Sequence, residues 1–291
     1  MTADASLISS YAHCRAIIRR QAHSFYFASF FLPAHKRRDV FALYAFYRTV
    51  DDLVDRRPAD SSGSTVVAQL ARWRAWLHDR RSPSPLDAVC PALGTVIDRY
   101  HIPLRYFDAL LDGVERDLAP CRLRDFAELE RYCYLVAGTV GLVLSYVLGV
   151  DDEAALAPAR DLGIAMQLTN VLRDIGEDLE RGRIYLPADE LARWHYSAER
   201  LALRRVDADF VALMRMQIAR AREYYRAGTA GIPHLSHDSR FPIVLAARMY
   251  SGILRQIERG GYDVFTRRAC TRMPEKIWIA SRSYAGLKLI R

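Results

Sequence analysis

A chain of 291 residues that is 51% hydrophobic and 26% charged can bury a large core, which excludes disordered and fibrous classes. Its net charge of +8 and pI near 9.3 suit anionic partners: nucleic acid, a membrane surface or phosphorylated small molecules. Nucleic-acid binding would rest on charge alone, because no basic cluster is interleaved with aromatic residues, so no nucleic-acid partner is expected.

In chain order, Arg15, Arg19 and Arg20 precede any apolar run, so no signal peptide is expected. Apolar residues then recur at helical spacing almost throughout, without a convincing run of alternating strands. Breakers fall at RPADSSGS (57–64), RRSPSP (80–85), RGRIYLP (181–187) and GIPHLSHDS (231–239). Between them the pattern predicts about nine to eleven helices, with connections too short to be interdomain linkers. The expected fold is all-α, one large helical bundle over residues 1–291 with a central cavity. Pro103 reads as a first-turn proline opening one helix. The uncharged run from Tyr134 to Val150 would reach ~26 Å as a helix, short of a bilayer core of ~30 Å, and reads as a buried helix. No anchor is expected in the closing SRSYAGLKLIR. The scattered cysteines Cys14, Cys90, Cys121, Cys133 and Cys270 argue against a disulfide framework or zinc site and for a reducing, cytoplasmic compartment.

Two stretches carry acids beside apolar faces. In LYAFYRTVDDLVD, Tyr44, Arg48, Asp51 and Asp55 recur at four, three and four, forming one polar stripe on a helix. Alone, such a DxxxD reads as a solvated face with Arg48 paired to Asp51 or Asp52. A second stripe in MQLTNVLRDIGEDLERGRIYLP changes that reading, with Gln167, Asn170, Asp174 and Asp178 at three, four and four. Hard oxygen ligands without histidine or thiolate point to Mg²⁺ rather than zinc, with Mn²⁺ able to substitute. Mg²⁺ commonly bridges carboxylates to substrate phosphates. Two such stripes facing each other would hold a diphosphate, with Arg48, Arg173, Arg181 and Arg183 as further anion contacts.

Both stripes and their neighbours resemble the squalene/phytoene synthases, the head-to-head prenyl transferases of the isoprenoid-synthase fold. The matching stretches are HSFYFASFFLP, ALYAFYRTVDDLVD, YCYLVAGTVGLVLSYVLG and QLTNVLRDIGEDLERGRIYLP, and the resemblance runs from about residue 11 to 280. It implies that Asp51, Asp55, Asp174 and Asp178, assisted by Asn170, hold Mg²⁺ and diphosphate. Ser24 and Phe25 fall on the family's substrate-contacting pair. Tyr44, Arg48, Gln167 and Arg173 flank the acids, and Arg183 belongs to GRIYLP. Tyr132, Val136 and Gly141 would face the pocket; Gly138, Thr139 and Gly141, being small, suit close helix packing as well as a pocket wall. Tyr250, Arg268 and Lys276 match C-terminal phosphate contacts, with an alignment ambiguous by one residue across VFTRRACTRMPEKI. Tyr44 and Tyr132 read equally as core tyrosines with satisfied hydroxyls. Tyr47 stands where the family usually has cysteine, off the acid stripe. Asp112 and Asp117 read as solvated helix acids, and His234 and His237 as loop residues.

Family members divide by chain length and by the fate of the final cation. SFYFAS ends in small Ser29, where an aromatic side chain would shorten the tunnel, so the expected substrate is geranylgeranyl diphosphate and the product phytoene. The alternative is farnesyl diphosphate, leading to squalene, presqualene diphosphate or dehydrosqualene. NADPH is not expected for a phytoene synthase. A non-catalytic binding protein of the same fold is the rival from another class, but such proteins lose acid motifs that this chain keeps. Because substrate and product are lipids, the resemblance also suggests peripheral contact with the inner membrane face and a downstream desaturase as partner.

Overall fold

The computed structural model describes residues 3–56, 63–119, 121–150 and 152–288. Most of the expected breaker at 57–64 therefore lies outside the described residues; Gly63 and Ser64 already belong to a helix. Among the described residues there are fifteen α-helices and no strand, only the isolated bridges Arg122 with Ile184 and Val150 with Leu235. The excess over the expected number comes from helices of five to eight residues, too short for an apolar period to register.

The first three helices are α1 (Ala3–Gln21), α2 (His23–Ser29) and α3 (Ala34–Asp55). Helix α3 begins directly after Pro33 and buries Val40, Phe41, Leu43, Ala45, Phe46 and Val50. Two polar staples anchor it. Asp39, fully buried, accepts from Tyr11 and Tyr100 hydroxyls at 2.9 Å each and from Arg99 at 2.7 Å. Lys36, on the same end, donates to Asp238 at 2.7 Å and Ser239 at 3.1 Å, tying the helix to a distant part of the chain. A buried carboxylate and a buried ammonium so fully partnered resist rotation of α3, and this holds the acid stripe at its other end.

Next come α4 (Gly63–His78), α5 (Cys90–Tyr100), α6 (Arg105–Arg116) and α7 (Phe126–Cys133). Pro103 sits two residues ahead of α6, its carbonyl accepting from Tyr106 N–H at 3.2 Å. Helix α7 runs through a five-residue π-helical segment, Tyr134–Gly138, into α8 (Thr139–Leu148). Phe126–Leu148 is thus one rod of 23 residues, long and apolar enough to cross a membrane, but half of its most apolar window is buried inside the bundle. It packs against α6 and α9 (Leu156–Arg173). The close approach depends on missing side chains: a Cβ on Gly141 would lie 2.2 Å from the Ala159 carbonyl, and one on Gly163 2.2 Å from that of Ala137.

The remaining helices are α10 (Ile175–Glu180), α11 (Ala188–Arg193), α12 (Ala198–Ala202), α13 (Ala208–Thr229), α14 (His237–Arg259) and α15 (Met273–Lys288). His234 ends a 3₁₀ turn and His237 opens α14, so neither lies in an irregular loop as expected. Apolar side chains gather into two large clusters, one around α1, α3, α5 and α6, the other around α9 and α13. A smaller third cluster joins Ala28 of α2, Leu245, Ala246 and Met249 of α14, and Ile279 of α15.

Candidate active site

The acid stripe of α3 extends from the first cluster and that of α9–α10 from the second, so the site forms at the seam between them. The second stripe is not on one unbroken helix. Helix α9 ends at Arg173, Asp174 is the junction, and α10 resumes at Ile175, with Asp178 N–H still donating to the Asp174 carbonyl at 2.8 Å. Gly176 is pinned there, since a Cβ would sit 2.9 Å from the Val264 carbonyl.

Arginines join the stripes. Asp55 Oδ1 accepts from Arg183 Nη1 at 2.9 Å, and Asp55 Oδ2 from Arg181 Nη1 at 3.2 Å. Asp174 is gripped by its neighbour Arg173 at 2.8 Å and by Arg268 Nε at 3.0 Å; Arg268 also reaches Glu177 at 3.3 Å. Arg48 pairs with both Asp51, at 3.2 Å, and Asp52. Asp52 also takes Arg56 at 3.1 Å, so its carboxylate is occupied by two arginines of its own helix end.

Electrostatics separate these acids. Burial, reinforced by the Asp55 charge and opposed by Arg48, pushes the Asp51 carboxyl up to about 6, although about half of its side-chain surface meets solvent. The two facts agree for a carboxylate on the wall of a concavity, wetted on one side and surrounded by protein on the others. Burial and the Asp174 charge push Asp178 up to about 7, against Arg183 and Arg181. Burial would raise Asp174 too, but the bonds and charges of Arg173 and Arg268 outweigh it and hold its carboxyl below the usual range.

A network missed in the sequence lies beneath these acids. Asp117, expected to be solvated, is drawn into the seam, with Oδ2 accepting from Tyr132 at 2.9 Å and Oδ1 from Tyr185 at 2.8 Å. The two tyrosine rings stack with centroids 4.7 Å apart. Arg183 Nη2 donates to the Asp117 carbonyl at 3.1 Å, and burial raises the Asp117 carboxyl despite these donors. One signal was available. Asp117 lies three residues after Val114 and seven after Leu110, both buried, and so continues the inner face of α6. Asp112, by contrast, is exposed and pairs with Arg74, as a solvated acid should.

The other named residues divide. Phe25 stacks on Tyr44 with centroids 6.4 Å apart, and burial pushes the Tyr44 hydroxyl up to about 12. Ser24, next to Phe25 on α2, is half-buried. Tyr250 interacts electrostatically with Tyr44 and Arg173, close to both stripes. Gln167 Oε1 accepts from Asn170 Nδ2 at 3.1 Å, which leaves Asn170 Oδ1 buried without a partner. Arg48 Nε is likewise buried and unpartnered, as is the hydroxyl of Tyr47. Lys276 is buried on the inner side of α15, and burial holds its ammonium below the usual lysine range. Ser29 is buried, its hydroxyl donating to the Tyr26 carbonyl at 2.6 Å. Val136 faces Gly113 of α6. Gly141 lets α8 and α9 cross backbone to backbone, the close packing that its small size suits.

The donor set fits a hard divalent cation. It is all oxygen, Asn170 offers an orphaned carbonyl oxygen, and the raised Asp51 and Asp178 carboxyls are what an added positive charge would relieve. Among the described residues no three acids, histidines or cysteines converge into a ready metal cage. A cation here would need oxygens from a ligand as well, which is the usual habit of Mg²⁺ with phosphates.

Comparison with known proteins agrees with this arrangement. The profile described as squalene/phytoene synthase matches residues 18–275. A 15-cis-phytoene synthase of Synechococcus elongatus is 39% identical over 277 residues, covering 91% of this chain and 89% of that protein. Phytoene synthase 2, chloroplastic, of Solanum lycopersicum is 36% identical, covering 96% and 91%. Among solved structures, a dehydrosqualene synthase in complex with ligand superposes with a TM-score of 0.86 at 31% identity, covering 96% of each chain.

Proposed function

The chain belongs to the squalene/phytoene synthase family, and from that premise we propose that residues 1–291 act as one prenyl-synthase domain joining two geranylgeranyl diphosphates head to head into phytoene. The observation that carries the reading is the pair of acid stripes meeting at one seam, joined by Arg183 on Asp55 and flanked by Arg268 on Asp174. Asp51, Asp55, Asn170, Asp174 and Asp178 would hold Mg²⁺ or Mn²⁺. When bound, the cation neutralises the departing diphosphate and makes it a better leaving group.

The chain's own residues do the rest. Arg48, Arg173, Arg181, Arg183, Arg268 and Lys276 supply donors to diphosphate oxygens; Arg48 Nε is already free to do so. The other guanidiniums rest on carboxylates and must exchange those partners for phosphate. The first prenyl diphosphate ionises to an allylic cation, which the double bond of the second attacks, and loss of a proton closes a cyclopropylcarbinyl diphosphate. Loss of the second diphosphate, rearrangement and departure of another proton give the hydrocarbon without a reductant, so NADPH is not required. Apolar walls contributed by α2 and α8 confine these cations and exclude water.

Incubation with Mg²⁺ and either geranylgeranyl or farnesyl diphosphate, with and without NADPH, tests the reading. The expected result is a forty-carbon hydrocarbon independent of NADPH. A hydrocarbon from the farnesyl substrate alone would support the second reading, a thirty-carbon product, which the likeness to a dehydrosqualene synthase favours. No turnover of either substrate would favour a binding protein. Ser29→Phe should shift preference toward the shorter substrate if that buried position limits the tunnel. The reading extends to a cytoplasmic enzyme resting on the inner membrane face and passing its product to a desaturase.

A further inference from the structure

One face of the molecule combines exposed aromatics with unpaired arginines. At the tip of α2, Phe30 and Phe31 are about half exposed, and along α15 so are Met273, Ile277, Trp278 and Tyr284. The two regions are continuous, since Phe31 packs edge-on against Phe241 of α14 at 4.9 Å and Phe241 against Tyr284 at 6.0 Å. Ile277 and Tyr284 are seven residues apart and share one side of α15. Soluble surfaces rarely gather this many large apolar side chains in one patch.

Cationic groups border the patch. Arg37 lies over the Phe30 ring at 5.6 Å and Arg282 over Trp278 at 5.2 Å. Beside Trp278 opens a groove of about 610 Å³ walled by Arg255, Arg259, Arg267, Arg268 and Arg272. Its acids are engaged, Glu275 accepting from Gln256 at 2.9 Å and Asp263 from Thr266 N–H at 3.0 Å. Arg268 turns to the active site, while the other four join no ion pair among the described residues. Guanidiniums so clustered attract phosphate groups.

The patch is also connected to the interior. The third apolar cluster runs from Met166, next to Gln167 of the second stripe, through Ala28, Leu245 and Met249 to Phe27 and Phe241. Phe27 then meets Phe31 edge-on at 6.1 Å. The exposed tip therefore abuts the same apolar cluster that Met166 packs against beside the second stripe.

We propose that this face, the α2 tip with the outer side of α15, docks on an anionic lipid bilayer, the aromatics entering the acyl boundary and the arginine groove binding lipid phosphates. The proposal rests on the reading that the substrates are prenyl diphosphates, since only water-insoluble chains need a dry route from bilayer to site. Aromatics beneath a cationic rim are the arrangement that binds anionic interfaces.

The test is sedimentation of the full chain with phosphatidylcholine vesicles, with or without one-third phosphatidylglycerol, alongside turnover of detergent-dispersed substrate. Retention is expected on the anionic vesicles only, with salt releasing it. Phe31→Ser combined with Ile277→Ser should weaken retention at least tenfold and leave detergent-phase turnover unchanged. Arg255→Glu with Arg259→Glu should remove the salt-sensitive part, and brominated lipid should quench Trp278 fluorescence. Equal retention of wild type and variants, or none by wild type, would overturn the docking face even if turnover is normal. A dimer lost on Phe31→Ser would assign the patch to a second copy instead. Vesicle binding without turnover of any prenyl diphosphate would count against the catalytic reading and leave the docking face standing.

Discussion

Arg183 holds Asp55 at 2.9 Å from a position 128 residues further along the chain, and its other terminal nitrogen holds the Asp117 carbonyl at 3.1 Å. One guanidinium thus fixes the end of α3 against the end of α6. Arg183→Ala leaves Asp55 with the more exposed Arg181 alone. We expect kcat/KM to fall by about 10²-fold, or ~2.7 kcal/mol of transition-state stabilisation. Arg183→Lys should recover little, because an ammonium lacks the fork that spans two acceptors. Steady-state kinetics at saturating Mg²⁺ decide this, and a value within about threefold of wild type would remove Arg183 from the substrate's path.

The acids of the two stripes should not be equivalent. Asp51→Asn or Asp174→Asn is expected to cut turnover by at least about 10³-fold, ~4 kcal/mol, with the helical circular-dichroism signal intact. Asp52→Asn, whose carboxylate is already occupied by Arg48 and Arg56, should stay within about tenfold. Equal losses at Asp51 and Asp52 would refute the division.

Stability should depend on pH in a direction set by the raised acids. Asp51 and Asp178, pushed to about 6 and about 7 from an ordinary 3.8, bind protons in the folded state before the unfolded chain does. Wherever the native state holds more protons, stability rises as pH falls, so the metal-free protein should melt higher at pH 5 than at pH 8. Asp174 and Asp238 are held low, and their opposing contribution is lost only at more acidic pH. Mg²⁺ with diphosphate should favour the ionised carboxyls and reverse the order. Melting curves in EDTA and in Mg²⁺–diphosphate at both pH values provide the check.

The Asp117 network should behave as a unit. Tyr132→Phe and Asp117→Asn each break a buried hydrogen bond, and the double variant should show a coupling of ~1–3 kcal/mol by thermal or denaturant unfolding. Additive losses would mean the stacked tyrosines are placed without the carboxylate.

Gly163→Ala tests how the second stripe is positioned. The added methyl would meet the Ala137 carbonyl at 2.2 Å, and neither backbone can withdraw without moving α9. Overpacking of this kind costs ~1–3 kcal/mol, which for a chain of this size lowers Tm by about 2–12 °C. An unchanged Tm would show that the π segment and α9 can separate at this crossing without cost.

The acid stripes were legible because period and chemistry coincide in them: polar residues at helical spacing beside Val50, Leu168 and Leu172 can be read without knowing the neighbours. Asp117 was not legible for the opposite reason: whether it meets water or Tyr185 depends on an element 68 residues away. The break at Asp174 was equally hidden, since the Val264–Phe265 backbone that crowds Gly176 beside it comes from a distant part of the chain.

The π-helical segment Tyr134–Gly138 sits between Tyr132, which reaches Asp117, and Leu142 and Val143, which fill the first core. The wider π turn takes up one residue more than an α turn over nearly the same rotation, so Tyr132 and the Leu142–Val143 side keep their angular offset across it. Length changes in homologous chains should therefore be of two kinds, those in turns such as 79–88 and the loss of this one absorbed residue, which would leave the hydroxyl on its carboxylate.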